Sequence, residues 1–114
     1  MFNFEKLDVW QKPIDFAELV YKHTRRFPGD ERFGLTNQMR RAAVSISSNI
    51  GEGTSRMSQT DFARFIEIAT GSVFEVISQA FVGRREGFLS EANFRAITRR
   101  SRKLAACSAV CENR

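Results

Sequence analysis

Residues 31–53 read ERFGLTNQMRRAAVSISSNIGEG, and this stretch decides the fold of the chain. Apolar and small side chains recur in it at three- and four-residue steps, which is the spacing of one face of an α-helix. They are Leu35, Met39, Ala42, Ala43, Ile46 and Ile50. The stretch therefore predicts one long helix, ended by the glycines at positions 51 and 53.

A second stripe on the same predicted helix is polar but carries little charge. Its members, with one neighbouring asparagine, are Gln38, Arg41, Ser45, Ser48, Asn49 and Glu52. A solvated helix face is normally rich in Lys and Glu. This polar stripe therefore predicts a hydrogen-bonded interface, between helices or between subunits, whose buried polar groups fix one register. Hydrogen bonds from serine side chains to the local backbone of a half-exposed face are the alternative.

The rest of the chain predicts three more helices. A length of 114 residues allows one domain with a modest core, and no strand-like alternation is present. Residues 1–114 are predicted to form a single domain with helices over about 8–26, 31–53, 58–86 and 90–112. Short joints between neighbours predict an all-α fold, an antiparallel up-down-up-down four-helix bundle. The apolar faces of the second and third helices are wide, which leaves surface for self-association.

Cap and turn residues set the predicted ends of these helices. Asp8, Ser58 and Ser90 are suitable N-cap residues, because a short polar side chain can accept a hydrogen bond from the first helical turn. Gly87 ends the third helix. The Gly-Ser pair at 71–72 lies in the middle of that helix and predicts close contact with a neighbouring helix.

The charge of the chain is concentrated near its C-terminal end. Eighteen Lys and Arg against thirteen Asp and Glu give +5 and an isoelectric point near 9.9. Residues 84–103 contain only two acidic residues and seven basic ones, here called the arginine strip. The strip comprises Arg84, Arg85, Arg95, Arg99, Arg100, Arg102 and Lys103. Arginine suits bidentate contacts to phosphate, so the strip predicts sequence-nonspecific contact with the nucleic-acid backbone. The alternative is a solvated helix face whose charge keeps the protein soluble.

Other features of the sequence narrow the class of protein. There is neither a secretory signal nor an apolar run near the ~20 residues that span a bilayer, so we expect a cytoplasmic protein with no membrane partner. With one histidine, His23, no zinc constellation is plausible. Cys107 and Cys111 are expected to be small thiols in a reducing compartment, with a local disulfide or a redox switch as the alternative.

A residue pattern that extends over nearly the whole chain carries a family resemblance. It begins as F-x-K-L-x-V-W at 4–10, is densest over 31–53 and ends as G-F-L at 87–89. On these residues the chain resembles the four-helix bundle protein family linked to intervening sequences in 23S ribosomal RNA genes. That family includes the accessory protein of diversity-generating retroelements. The chain departs from the family pattern at Pro13, Gly51 and Thr70.

The resemblance implies an assembly and a class of ligand. Family members are expected to form homopentameric rings. In the retroelement members, the ring is thought to present a basic surface to RNA or DNA and to a reverse transcriptase. Many relatives have no established function, so the resemblance predicts the fold more firmly than the role.

Catalysis has little support in the sequence. His23 lies among basic residues and is expected to be exposed, and no acid–base pair, Cys–His arrangement or phosphate-binding glycine loop is present. Glu52 and Glu75 could form a carboxylate pair, but a salt bridge with Arg41 or Arg64 explains them more simply. We therefore expect a non-catalytic oligomeric scaffold that binds nucleic acid without cofactor or metal. A protein-interaction module with no nucleic-acid ligand is the alternative.

Overall fold

The computed structural model describes residues 8–112, with the side chains of residues 11–107. It contains four α-helices, α1 (Asp8–Thr24), α2 (Leu35–Thr54), α3 (Gln59–Arg85) and α4 (Glu91–Glu112). A short 3-10 helix, Gly29–Glu31, lies between α1 and α2. No strand occurs between residues 8 and 112, so the all-α class is confirmed. The molecule measures 44 × 22 × 21 Å.

The start of α2 differs from the prediction. The helix begins at Leu35 and not at residue 31, because the residues after Pro28 form the 3-10 helix and a further turn. Glu31 acts from outside the helix: its Oε1 accepts a hydrogen bond from the Leu35 N–H at 3.1 Å. That bond satisfies one of the N–H groups that the first turn of a helix leaves without an intrahelical partner. A Cβ at Gly34 would lie 3.0 Å from the same oxygen, so glycine leaves room for this cap.

The apolar stripe of α2 forms one side of the core, as predicted. All six of its members are buried, and α2 packs most extensively on α3. Large side chains from every helix are fully buried around it; they include Phe16, Val20, Met39, Ile46, Ile66, Val73 and Ile97. Burying a side chain of this size stabilises a fold by about 1.5–3 kcal/mol, so these residues hold the helices together.

Two glycines show how α2 and α3 meet. A Cβ on Gly53 would lie only 2.9 Å from the Phe65 Cβ, so the two helices approach closely at the end of α2. Gly71 is different: it is exposed, and a Cβ there would meet nothing within 4 Å. Gly71 therefore does not make the close helix contact that was predicted for the Gly-Ser pair. The contact is made by Ser72, whose Oγ donates to the Ser45 Oγ at 3.0 Å, because residue 72 points toward α2 and residue 71 away from it.

The predicted caps of α3 and α4 are confirmed. Ser58 Oγ accepts from the Asp61 N–H at 3.0 Å, and Ser90 Oγ accepts from the Asn93 N–H at 3.1 Å. Gly87 ends α3 with φ +80°, and the Phe88 N–H donates to the Gly83 carbonyl at 2.8 Å. This is the Schellman arrangement, in which a left-handed residue lets the chain turn back on the last helical carbonyls.

α3 passes a simple test for a membrane span. It is long enough, and an 18-residue window in it has a mean hydropathy of 1.4. The central helix of a globular core has the same composition, and eight residues of α3 are buried against its neighbours. Packing therefore explains part of this composition, since 39% of the window is buried.

Some of the predictions fall on residues that the structure leaves undescribed. They concern the beginning of the F-x-K-L-x-V-W pattern and the side chains of Asp8, Trp10 and Cys111.

Candidate functional site

The arginine strip lies mainly on the outer face of α4. Apolar and small residues of α4 face the core, namely Phe94, Ile97, Ser101 and Leu104. The cations occupy the remaining positions, and Arg95, Arg99, Arg100, Arg102 and Lys103 are all exposed. No Asp or Glu occurs from residue 92 to residue 107, so this face carries only positive charge.

Arg84 does not belong to the free part of the strip. Its guanidinium carbon lies 4.0 Å from the centroid of the Phe94 ring and 5.2 Å from that of Phe81. Its Nη1 also lies 3.5 Å from Glu91 Oε2. A cation over an aromatic face with a carboxylate beside it is a stabilising contact, so Arg84 joins the end of α3 to the start of α4. The sequence suggested Arg84 as a ligand contact, because its position beside Arg85 does not reveal these aromatic and carboxylate partners.

The other cations of the strip are free or nearly so. Arg95 pairs with Glu91 at 3.2 Å, but its side chain is 72% exposed, and such surface pairs contribute little. Arg85, Arg99 and Arg102 are exposed and form no ion pair among the described side chains. Their guanidinium groups are thus available for an external anion.

Arg100 and Lys103 face the seam between α4 and α1. With Lys12, Leu104 and Cys107 they line a concavity of about 310 Å³. Lys12 was not predicted as part of this surface, because only the packing of α1 against α4 brings it there. Cys107 is a half-buried free thiol at the edge of the three cations.

The polar stripe of α2 divides into two parts. Ser45 and Asn49 are half-buried, and Ser45 contacts α3. Ser45 Oγ accepts from Ser72 Oγ and from Asn49 Nδ2, both at 3.0 Å, and Asn49 Nδ2 also donates to the Ser45 carbonyl at 2.8 Å. At Ser45, one hydrogen bond therefore crosses to a neighbouring helix, and the bonds from Asn49 are local.

The outward part of the stripe comprises Gln38, Arg41, Ser48 and Glu52, which are all exposed. Glu52 pairs with Arg56 at 3.3 Å, so the expected partners Arg41 and Arg64 are wrong. The reason is local, because Arg56 lies in the connection that follows α2, four residues after Glu52.

Arg41 lines a shallow groove of about 450 Å³ whose lining includes no carboxylate. The lining residues are Tyr21, Asn37, Arg40, Arg41, Val44, Ser45 and Ser48. Arg40 is fixed in it: its Nε donates to Thr24 Oγ1 at 2.9 Å, and its guanidinium carbon lies 4.6 Å from the Tyr21 ring centroid. The groove is a positively charged, hydroxyl-rich surface on α1 and α2.

His23 is half-buried and not exposed as predicted, because it lies on the inner edge of α1. Burial lowers the pKa of His23, and the charge of Lys22 lowers it further. The imidazole is therefore neutral near pH 7. Among the described residues, no group of three or more His, Cys, Asp or Glu side chains could hold a metal ion.

Two comparisons place the chain among known proteins. The family model described as 23S rRNA-intervening sequence protein matches residues 5–108. The fold is also that of a crystal structure from Bacteroides thetaiotaomicron, described as a protein with unknown function from the S23 ribosomal protein family. The two superpose with a TM-score of 0.83 at 21% sequence identity, covering 93% of this chain and 99% of that chain. At that identity the likeness concerns the fold alone. No match was found among curated proteins.

Proposed function

This chain belongs to the 23S rRNA-intervening sequence protein family, and from that premise we propose that it is a non-catalytic oligomeric scaffold that binds RNA or DNA without sequence preference. The observation that carries the proposal is the exposed surface of α4, which has five exposed cations and not a single carboxylate between residues 92 and 107. Phosphate contacts supply the affinity of nonspecific nucleic-acid binding.

The dimensions of α4 suit a nucleic-acid backbone. A helix rises about 1.5 Å per residue, so Arg95 to Lys103 spans about 12 Å. One strand of a duplex places a phosphate about every 3.4 Å along the axis, so that length faces three or four phosphates. Because arginine contacts to phosphate read no base edge, the binding has no sequence preference.

The finer topology that we propose is up-down-up-down. Gly53 lies against Phe65 and Ser45 lies against Ser72, so rising residue numbers on α2 meet falling numbers on α3. Such pairing is expected of antiparallel neighbours. The short connections after α2 and α3 support the same arrangement.

We propose further that the subunits assemble into a ring, with five copies as the resemblance implies. Three apolar side chains on α3, Ile68, Phe74 and Val82, are exposed, which supports burial against another subunit. The positive groove around Arg41 is a second surface available for that contact. A ring would repeat the α4 face around its axis, and several weak phosphate contacts on one assembly raise the overall affinity.

An accessory role beside a reverse transcriptase in the cytoplasm is the biological setting that the resemblance suggests. The alternative function is a protein-interaction module with no nucleic-acid ligand. The exposed Phe74, 58% accessible, favours that alternative, since an apolar side chain on a helix face fits a protein partner better than a phosphate.

Removing charge from α4 tests the proposal. Affinity for duplex and single-stranded oligonucleotides would be measured by fluorescence anisotropy over a series of KCl concentrations. The triple variant R99Q/R100Q/R102Q is expected to bind more weakly and to flatten the plot of log affinity against log salt by about 2.7 units on duplex DNA, roughly 0.9 for each lost phosphate contact.

A matched control removes the same charge elsewhere. The variant K22Q/R56Q/R64Q loses three cations from α1, α3 and the connection before α3, and it is expected to keep most of the wild-type slope. Identical salt curves for the α4 variant and the wild type would show that α4 is not the contact. Absence of any binding by the wild type would leave the protein-interaction module as the function.

A further inference from the structure

Phe33 is an aromatic side chain displayed at one end of the molecule. Its side chain is 86% exposed, although phenylalanine is usually buried. It lies in the connection between α1 and α2. The sequence predicted a helix in this segment, but the structure has turns there. Neither the arginine strip nor the polar stripe includes it.

The backbone that carries Phe33 is held in place. The Glu31, Arg32 and Gly34 N–H groups donate to the carbonyls of residues 28, 29 and 31 at 2.9, 3.2 and 3.0 Å. The Glu31 carboxylate also caps α2 at Leu35. A fixed backbone presents the ring in one place, so a ligand that stacks on it pays little for ordering the segment.

The same end of the molecule carries further cations. Phe27 packs on Phe88 with ring centroids 5.6 Å apart, and a Cβ on Gly83 would lie 3.6 Å from the Phe27 ring. These contacts bring the α1–α2 and α3–α4 connections together, so that Arg25, Arg26 and Arg32 lie at the same end as Arg85. These four are exposed and form no ion pair among the described side chains.

Positive charge prevails around this end. At this end, the exposed carboxylates that form no ion pair among the described side chains are Asp30 and Glu86, two against four arginines. The Glu31 carboxylate caps α2, and Glu91 pairs with Arg84 and Arg95. The Arg32 guanidinium carbon itself lies 5.6 Å from the Phe33 ring centroid. An aromatic ring among cations is the combination with which proteins bind unpaired bases and the phosphates between them.

We propose that Phe33 is a stacking platform for an unpaired nucleobase, with Arg25, Arg26 and Arg32 binding the adjacent phosphates. The proposal rests on the proposed function and adds to it a preference for single strands and a contact site away from α4. Bases in a duplex are already paired and stacked, so only a single strand can use the ring. Because every base has an aromatic face, the platform adds no sequence preference.

A second copy of the chain or an apolar peptide is the competing occupant. The three residues that precede Phe33 in the chain, Asp30, Glu31 and Arg32, are all charged. A protein partner would be expected to bury apolar side chains around the ring, since the fully buried part of such an interface is depleted of charge. Because the Glu31 carboxylate caps α2 and four exposed arginines outnumber the remaining carboxylates, the surroundings favour a nucleic-acid strand.

Alanine and tryptophan at position 33 provide the test. Wild type, F33A and F33W would be titrated with a single-stranded RNA containing 2-aminopurine, and with its duplex. F33A is expected to bind the single strand about 5- to 150-fold more weakly, the range of one stacked base, with duplex binding unchanged. F33W should keep the affinity and quench the 2-aminopurine fluorescence. The control is M57A, because Met57 is fully exposed in the α2–α3 connection at the other end of α2.

The possible results separate the two proposals. If the wild type binds neither RNA form, the proposed function and the platform both fail. If it binds single strands and F33A binds them equally well, only the platform fails. The platform would also be overturned if F33A lost equal affinity for the single strand and the duplex. A change in the oligomeric mass of F33A by light scattering would overturn it in favour of a subunit contact.

Discussion

Alanine at Gly53 and alanine at Gly71 are expected to change stability in opposite directions. Both residues are helical glycines, so alanine removes the same backbone flexibility from the unfolded chain. Their surroundings differ, because a Cβ at 53 would lie 2.9 Å from the Phe65 Cβ, whereas one at 71 would meet nothing within 4 Å. The pair therefore isolates the effect of interhelical distance.

The structure sets the size of each effect. Two carbon atoms in contact prefer about 3.5–4.0 Å, so alanine at 53 forces α2 and α3 apart by roughly half an ångström or more. Overpacking of this kind costs about 1–3 kcal/mol, and alanine returns at most about 1 kcal/mol of helix propensity. We expect G53A to lose about 1 kcal/mol and G71A to gain about 0.5–1 kcal/mol.

Urea unfolding followed by circular dichroism measures both variants. The midpoints should move apart with unchanged m-values, since neither variant alters the surface exposed on unfolding. Because Gly71 lies on the face proposed for self-association, the titrations are run at two protein concentrations. A G53A variant as stable as the wild type would refute the close approach of α2 to Phe65. A G71A variant destabilised at both concentrations would refute the open surroundings of that glycine.

Three further predictions concern side chains. R41A should change the oligomeric mass in light scattering, because Arg41 lines the positive groove; unchanged mass would remove that groove from the interface. The pKa of His23 is lower in the folded protein than its usual 6.5, so the unfolded chain binds more protons just below that pH. The free energy of unfolding should therefore fall as the pH drops below about 6.5, and H23Q should lessen that fall. R84A should lose about 1 kcal/mol through its contacts with Phe94 and Glu91, whereas R85A should stay within about 0.5 kcal/mol of the wild type in thermal unfolding.

The core of this fold could be predicted from the sequence because helical periodicity is a local property. The six apolar residues of α2 and the caps at Ser58 and Ser90 need no knowledge of other helices. The start of α2 could not be predicted. The Glu31 side chain caps the helix from outside it, and in the sequence such a residue looks the same as an acidic residue in the first helical turn.

Interhelical relations were harder to predict than helices. A Gly-Ser pair in a helix indicates a close contact and not which of its two residues makes it; Ser72 makes the contact, and Gly71 faces outward. The partners of Arg84 come from an aromatic ring and a carboxylate on α4, and Lys12 reaches Arg100 and Lys103 only through packing of α1 on α4. These relations depend on the rotation of each helix about its axis.

The acid-free outer face of α4 also bears on the stability of the free protein. Arg95, Arg99 and Lys103 follow one another at four-residue steps, and like charges at that spacing destabilise a helix by about 0.2–0.5 kcal/mol for each pair. Among the described side chains, only Arg95 of these three pairs with a carboxylate, Glu91, which offsets part of this repulsion. Added salt should therefore strengthen α4 by screening, in contrast to a helix held by surface ion pairs. A polyanion bound to these cations would do the same more strongly, so α4 is expected to be more stable in a complex with nucleic acid than in the free protein.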